Sequence, residues 1–91
     1  MPDKRTSRAL SPHTAVLGAA VRELRMCRVL SQEALGFKAR LHRNYVGAIE
    51  RGEINPTFRT LRTLADGLDV ELSSLIRLCE EREEERTAAA P

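Results

Sequence analysis

Three residues, Arg40-Leu41-His42, separate two runs that both read as helix. The first opens at Ser31, a good N-cap, and runs to about Ala39. The second spans roughly His42 to Arg51 and stops at Gly52, a residue suited to the end of a helix. So short a joint forces the two helices to cross steeply, which is a helix-turn-helix arrangement. Gly36 is small where the pair must approach closely. Leu35, Val46 and Ile49 are apolar where the pair must seal against a core.

The rest of the chain supplies three more helices. Ser11-Pro12 opens one, with Ser able to cap and Pro suited to the first turn. Val16, Leu17, Ala20, Val21, Leu24 and Cys27 then fall on one stripe at helical period. After Asn55-Pro56, Thr57 is the expected cap of another, followed by Phe58, Leu61, Leu64, Ala65 and Leu68. A last helix is expected over about Glu71 to Glu83, with Leu72, Leu75, Ile76 and Cys79 on one face. The expected fold class is all-α, a compact five-helix bundle. A chain of 91 residues has room for one domain. The expected division is an N-terminal arm over 1–10, the domain over 11–84 and a tail over 85–91. Aromatics are only 3%, which disfavours a β-sandwich.

Several function classes fall away. No apolar run approaches the roughly 18 residues of a membrane span. The polar start, Met1 to Leu10, lacks the apolar stretch of a secretory signal. Cys27 and Cys79 lie far apart, outside any C-x-x-C pair, and a reducing cytoplasm is expected. Both fall on apolar stripes and are expected in the core. With His13 and His42 they match no zinc spacing, so neither metal nor cofactor is expected. No Ser/His/Asp order, glycine-rich phosphate loop or paired-carboxylate pocket appears, and an enzyme is not expected.

Charge is unevenly distributed. Residues 12–59 hold eight bases against four acids, whereas residues 60–91 hold four bases against eight acids. One part of the molecule attracts polyanions and the other repels them.

The helix from His42 to Arg51 sharpens this. At about 100° per residue, with Arg43 at zero, Gly47 falls near 40°, Arg51 near 80°, Asn44 near 100° and Ala48 near 140°. Tyr45, Ile49, His42 and Val46 fill the arc from roughly 200° to 300° and face inward. The outward side offers Arg43, Asn44 and Arg51 with two small residues between. Arg can give two hydrogen bonds to guanine and Asn can pair with adenine, which suits a DNA major groove.

Leu30-Ser31-Gln32-Glu33-Ala34-Leu35, Ile49-Glu50-Arg51-Gly52-Glu53, Asn55-Pro56-Thr57 and the Leu64-Ala65 step together resemble the repressor-type helix-turn-helix proteins of bacteria and phages, the Xre or Cro/CI-like family. The resemblance covers about Leu17 to Leu78. The stretch from Leu41 to Gly52 also looks like the controller proteins of restriction–modification systems. It implies a lambda-repressor-like DNA-binding domain and double-stranded DNA as partner. Arg43, Asn44, Gly47 and Ala48 match its base-facing positions. Gln32, Arg51, Asn55 and Arg59 match phosphate-contacting ones. Arg25 and Glu50 match a partly buried ion pair that holds a helix angle. Two departures stand out: Arg40 and Asp69 occupy positions where the family commonly has glycine. A left-handed backbone is costly for Arg, so an adjusted turn is expected at Arg40, with its charge free to meet a phosphate.

Leu72, Leu75, Ile76 and Cys79 cover more than one bundle needs, and a symmetric dimer through them is expected, the alternative being that the stripe closes the monomer core. Such a homodimer would read a two-fold-related operator, acting as repressor or activator with RNA polymerase as a further partner. The alternative is an antitoxin-like module that holds a protein.

Overall fold

The computed structural model describes residues 9–89. Five helices follow in chain order: α1 Pro12–Cys27, α2 Gln32–Ala39, α3 Arg43–Glu50, α4 Phe58–Leu68 and α5 Leu72–Ala89. Among the described residues there is no strand. Residues 1–8 of the expected arm and 90–91 of the expected tail lie outside the described residues.

The starts follow local chemistry. Ser11 caps α1 by accepting from the Thr14 N–H at 3.1 Å, and the Ser11 N–H donates to Thr14 Oγ1 at 3.0 Å. A threonine thus completes the reciprocal cap usually made by Glu or Gln. Ser31 caps α2 through the Ala34 N–H at 2.9 Å, and Thr57 caps α4 through the Thr60 N–H at 3.1 Å. The ends use left-handed residues. Gly52 has φ 77°, where glycine is at ease, whereas Val29, Arg40 and Asp69 have φ 57°, 61° and 59°.

Arg40 therefore takes the left-handed turn itself, and the turn is not adjusted around it. The Leu41 N–H reaches back to the Gly36 carbonyl at 2.8 Å and closes it. A Cβ on Gly36 would stand 2.5 Å from the Leu41 oxygen, so only glycine lets the turn fold this tightly. Gly18 performs a like service in α1, where a Cβ would collide with the carbonyl oxygens of Ile49 and Glu50. That contact lays α1 against the end of α3.

The core joins all five helices: Ala20 and Val21 of α1, Leu35 and Ala39 of α2, Val46 and Ile49 of α3, Leu64 and Leu68 of α4 and Leu75 of α5. Burying a side chain of this size is worth about 1.5–3 kcal/mol. On the far side, Arg82 of α5 grips Glu23 of α1 through Nη2–Oε2 at 2.6 Å and Nε–Oε1 at 3.0 Å. His13 of α1 meets Glu83 at 2.8 Å.

Three expectations need correction. α5 continues to Ala89, beyond the expected end at Glu83 and across the boundary set at residue 84. Within the extra turns, Glu85 accepts from Arg82 Nη1 at 3.0 Å and Thr87 Oγ1 donates to the Glu83 carbonyl at 3.0 Å. Cys27, the last residue of α1, is exposed, and Cys79 is half-buried. Phe58 stands 65% exposed at the start of α4, with Arg62 over its ring. Leu75 is fully enclosed by its own chain, and Leu72 and Cys79 pack against the same core. Of the four residues assigned to a dimer face, Ile76 is the exposed one.

Candidate nucleic-acid interface

α3 is fixed from behind and open in front. Val46 and Ile49 are buried, and Tyr45 packs partly against the core. His42 caps the helix, its Nδ1 accepting from the Asn44 N–H at 3.0 Å. The cap consumes a backbone donor and leaves the Asn44 carboxamide at the surface. Arg43 and Asn44 are both exposed at this end. Arg43 Nη1 lies 3.8 Å from Glu33 of α2, a loose surface contact that a stronger acceptor would replace.

The other end of α3 is held by charge. Arg25 of α1 donates through Nε and Nη2 to Glu50 at 2.6 and 3.0 Å, and through Nη1 to the Leu30 carbonyl at 2.8 Å. The paired carboxylate raises the Arg25 pKa further above its ordinary value. Gln32 of α2 donates to the same carboxylate at 3.0 Å. One carboxylate thus ties α1, α2 and α3 together and sets the angle at which α3 is presented.

Gly47 sits beneath these groups. It is buried, and a Cβ there would stand 3.1 Å from Arg51 Nη1 and 3.4 Å from Gln32 Oε1. This corrects its assignment to a base-facing position, because two longer side chains cover it. Ala48 is partly exposed. Gln32 is half-buried, while Arg40, Asn55 and Arg59 are exposed. Arg51 forks onto Glu53, with Nε–Oε2 at 2.8 Å and Nη2–Oε1 at 3.3 Å. That contact raises the Arg51 pKa. Sequence reasoning missed this pair, because residues two apart meet only when a tight turn such as that at Gly52 folds the chain back.

No group of three or more His, Cys, Asp or Glu among the described residues is arranged to hold a metal ion. No helix among them is long and apolar enough to cross a membrane.

A short second helix, pinned by a buried face and an ion pair and offering Arg and Asn outward across a tight turn, defines a helix-turn-helix domain. The family model described as Helix-turn-helix matches residues 21–75, and the chain belongs to that family. It is 41% identical over 61 residues to the control protein C.SmaI of Serratia marcescens, covering 67% of this chain and 73% of that protein. It is 34% identical over 62 residues to the control protein C.BamHI of Bacillus amyloliquefaciens, covering 67% and 76%. Its fold matches the crystal structure of the restriction-modification controller protein C.AhdI from Aeromonas hydrophila with a TM-score of 0.70 at 40% identity, over 71% of this chain and 98% of that one. The resemblance to repressor-type and controller proteins, and the all-α class, are borne out.

Proposed function

We propose that this chain is a sequence-specific DNA-binding transcriptional regulator that acts in the cytoplasm as a homodimer and governs restriction–modification genes. The observation that carries the reading is the exposed pair Arg43 and Asn44 at the start of a helix whose opposite face is buried in the core. Arg43 and Asn44 read base edges in the major groove, with Ala48 in apolar contact beside them. Gln32, Arg40, Arg51, Asn55 and Arg59 hold the phosphate backbone and set the register. Identity to control proteins supports the restriction–modification assignment.

In a two-fold dimer the two copies of α3 address half-sites about one DNA turn, roughly 34 Å, apart. The exposed side chain of Ile76 on α5 supports that helix as the side through which two copies pair. Promoter occupancy then represses or, through contact with RNA polymerase, activates.

Selecting bound duplexes from a random pool tests the reading. The expected result is an enriched site with two inverted half-sites. An unenriched pool would contradict sequence reading, and an enriched single half-site would contradict the dimer.

A further inference from the structure

We propose that Gly47 is a positioning residue for DNA: its missing side chain lets the Gln32 carboxamide and the Arg51 guanidinium lie side by side on α3, where both grip a single backbone phosphate. The inference rests on the DNA-binding reading above, which assigns both side chains to phosphates. It adds that the phosphate is shared and that a glycine prepares its seat.

The geometry carries it. A Cβ on Gly47 would stand 3.1 Å from Arg51 Nη1, 3.4 Å from Gln32 Oε1 and 3.6 Å from Gln32 Nε2. The ends of the two side chains therefore converge on one spot of the helix surface, although Gln32 opens α2 and Arg51 caps α3. Each is held from behind. Gln32 Nε2 donates to Glu50 at 3.0 Å, and because a carboxylate only accepts, this fixes which end of the carboxamide carries the hydrogens. The second Nε2 hydrogen is left to give. Arg51 forks onto Glu53 through Nε and Nη2, which leaves Nη1 on the Gly47 side. A phosphate at Nη1 leaves that fork in place.

The charges suit an anion there. The Glu50 carboxylate behind Gln32 is already met by Nε and Nη2 of Arg25, so its charge is balanced. The Arg51 side chain is 60% exposed. A phosphate seated between Nη1 and Nε2 gains one charge-assisted hydrogen bond and one neutral one. A Cβ on Gly47 makes its neighbours give by a few tenths of an ångström. The fold tolerates this, because both side-chain ends can swing aside. A ligand held at two points does not.

Titration of a mixed-sequence duplex over a range of salt tests the seat, with helicity and melting followed for every variant. Gly47→Ala is expected to bind roughly three- to tenfold more weakly at unchanged melting temperature. Arg51→Gln is expected to bind about tenfold more weakly and to flatten the plot of log K against log salt by about 0.9. Gln32→Ala is expected to cost about threefold at unchanged slope, since the carboxamide is neutral. Losses at a shared phosphate do not multiply, so adding Gly47→Ala or Gln32→Ala to Arg51→Gln is expected to cost less than about twofold more. Multiplying losses would put the two side chains on separate phosphates and overturn the proposal. Gly47→Ala binding as tightly as wild type would overturn it too, with DNA binding intact in both cases. A wild type that retains no duplex at low salt would overturn the DNA-binding reading and this proposal with it.

Discussion

Arg25 of α1 and Glu50 of α3, 25 residues apart in the chain, face each other side-on with both guanidinium–carboxylate contacts at 3.0 Å or less. Their side chains are 13% and 4% exposed. A charge this enclosed depends on its partner, because removing one member leaves the other unpaired away from water. Arg25→Met is therefore expected to cost about 3–5 kcal/mol, read by urea unfolding. Replacing both residues by Met is expected to recover much of that loss. Equal losses in the single and double variants would show that the pair is not what holds α3.

Val29 is the least comfortable residue in the backbone. It is β-branched, has φ 57° and is 89% exposed, so its side chain returns little for the strain. Val29→Gly is expected to raise stability by about 1 kcal/mol, seen as a higher melting temperature. A lower one would mean that the chain-entropy cost of glycine outweighs the relief.

Two glycines should behave differently. An added Cβ at Gly18 meets backbone oxygens of Ile49 and Glu50, which cannot yield without moving α3. Gly18→Ala is expected to cost roughly 1–3 kcal/mol and to weaken DNA binding. At Gly47 the neighbours are the ends of Arg51 and Gln32, which can swing aside. Gly47→Ala is expected to unfold at nearly wild-type denaturant. The reverse order would contradict the packing described.

The cysteines offer a test of burial. Burial first, and then the nearby Glu83 carboxylate, pushes the Cys79 thiol up to about 11, so almost none of it is thiolate at neutral pH. Cys27 is exposed. Mass spectrometry of the folded protein treated with iodoacetamide is expected to show Cys27 modified well before Cys79. Equal rates would contradict the packing of α5 against the core.

Much of this fold is legible in the sequence because its joints are chemically marked. Ser11-Pro12, Ser31, Thr57 and Gly52 all sit where caps and stops belong. Periodicity gives the buried face of a helix but not its depth. Cys27 therefore looks internal in sequence and stands in solvent. It also hides left-handed valine, since nothing about Val29 suggests a turn. The full length of α5 was illegible because its run of charges looks like a frayed end. The grip of Arg82 on Glu23, and of Glu83 on His13, exists only once α1 lies alongside. At the candidate interface, the outward side of α3 follows from helical geometry. The covering of Gly47 and the Arg51–Glu53 fork follow from tertiary contact alone.

Base reading by Arg43 is tested by a paired titration. Wild type and Arg43→Ala are measured at one salt concentration on a selected duplex and on a mixed-sequence duplex. A loss of roughly 1–3 kcal/mol is expected on the selected duplex and a much smaller loss on the mixed one. Equal losses on both duplexes would make Arg43 a phosphate contact and contradict base reading by α3.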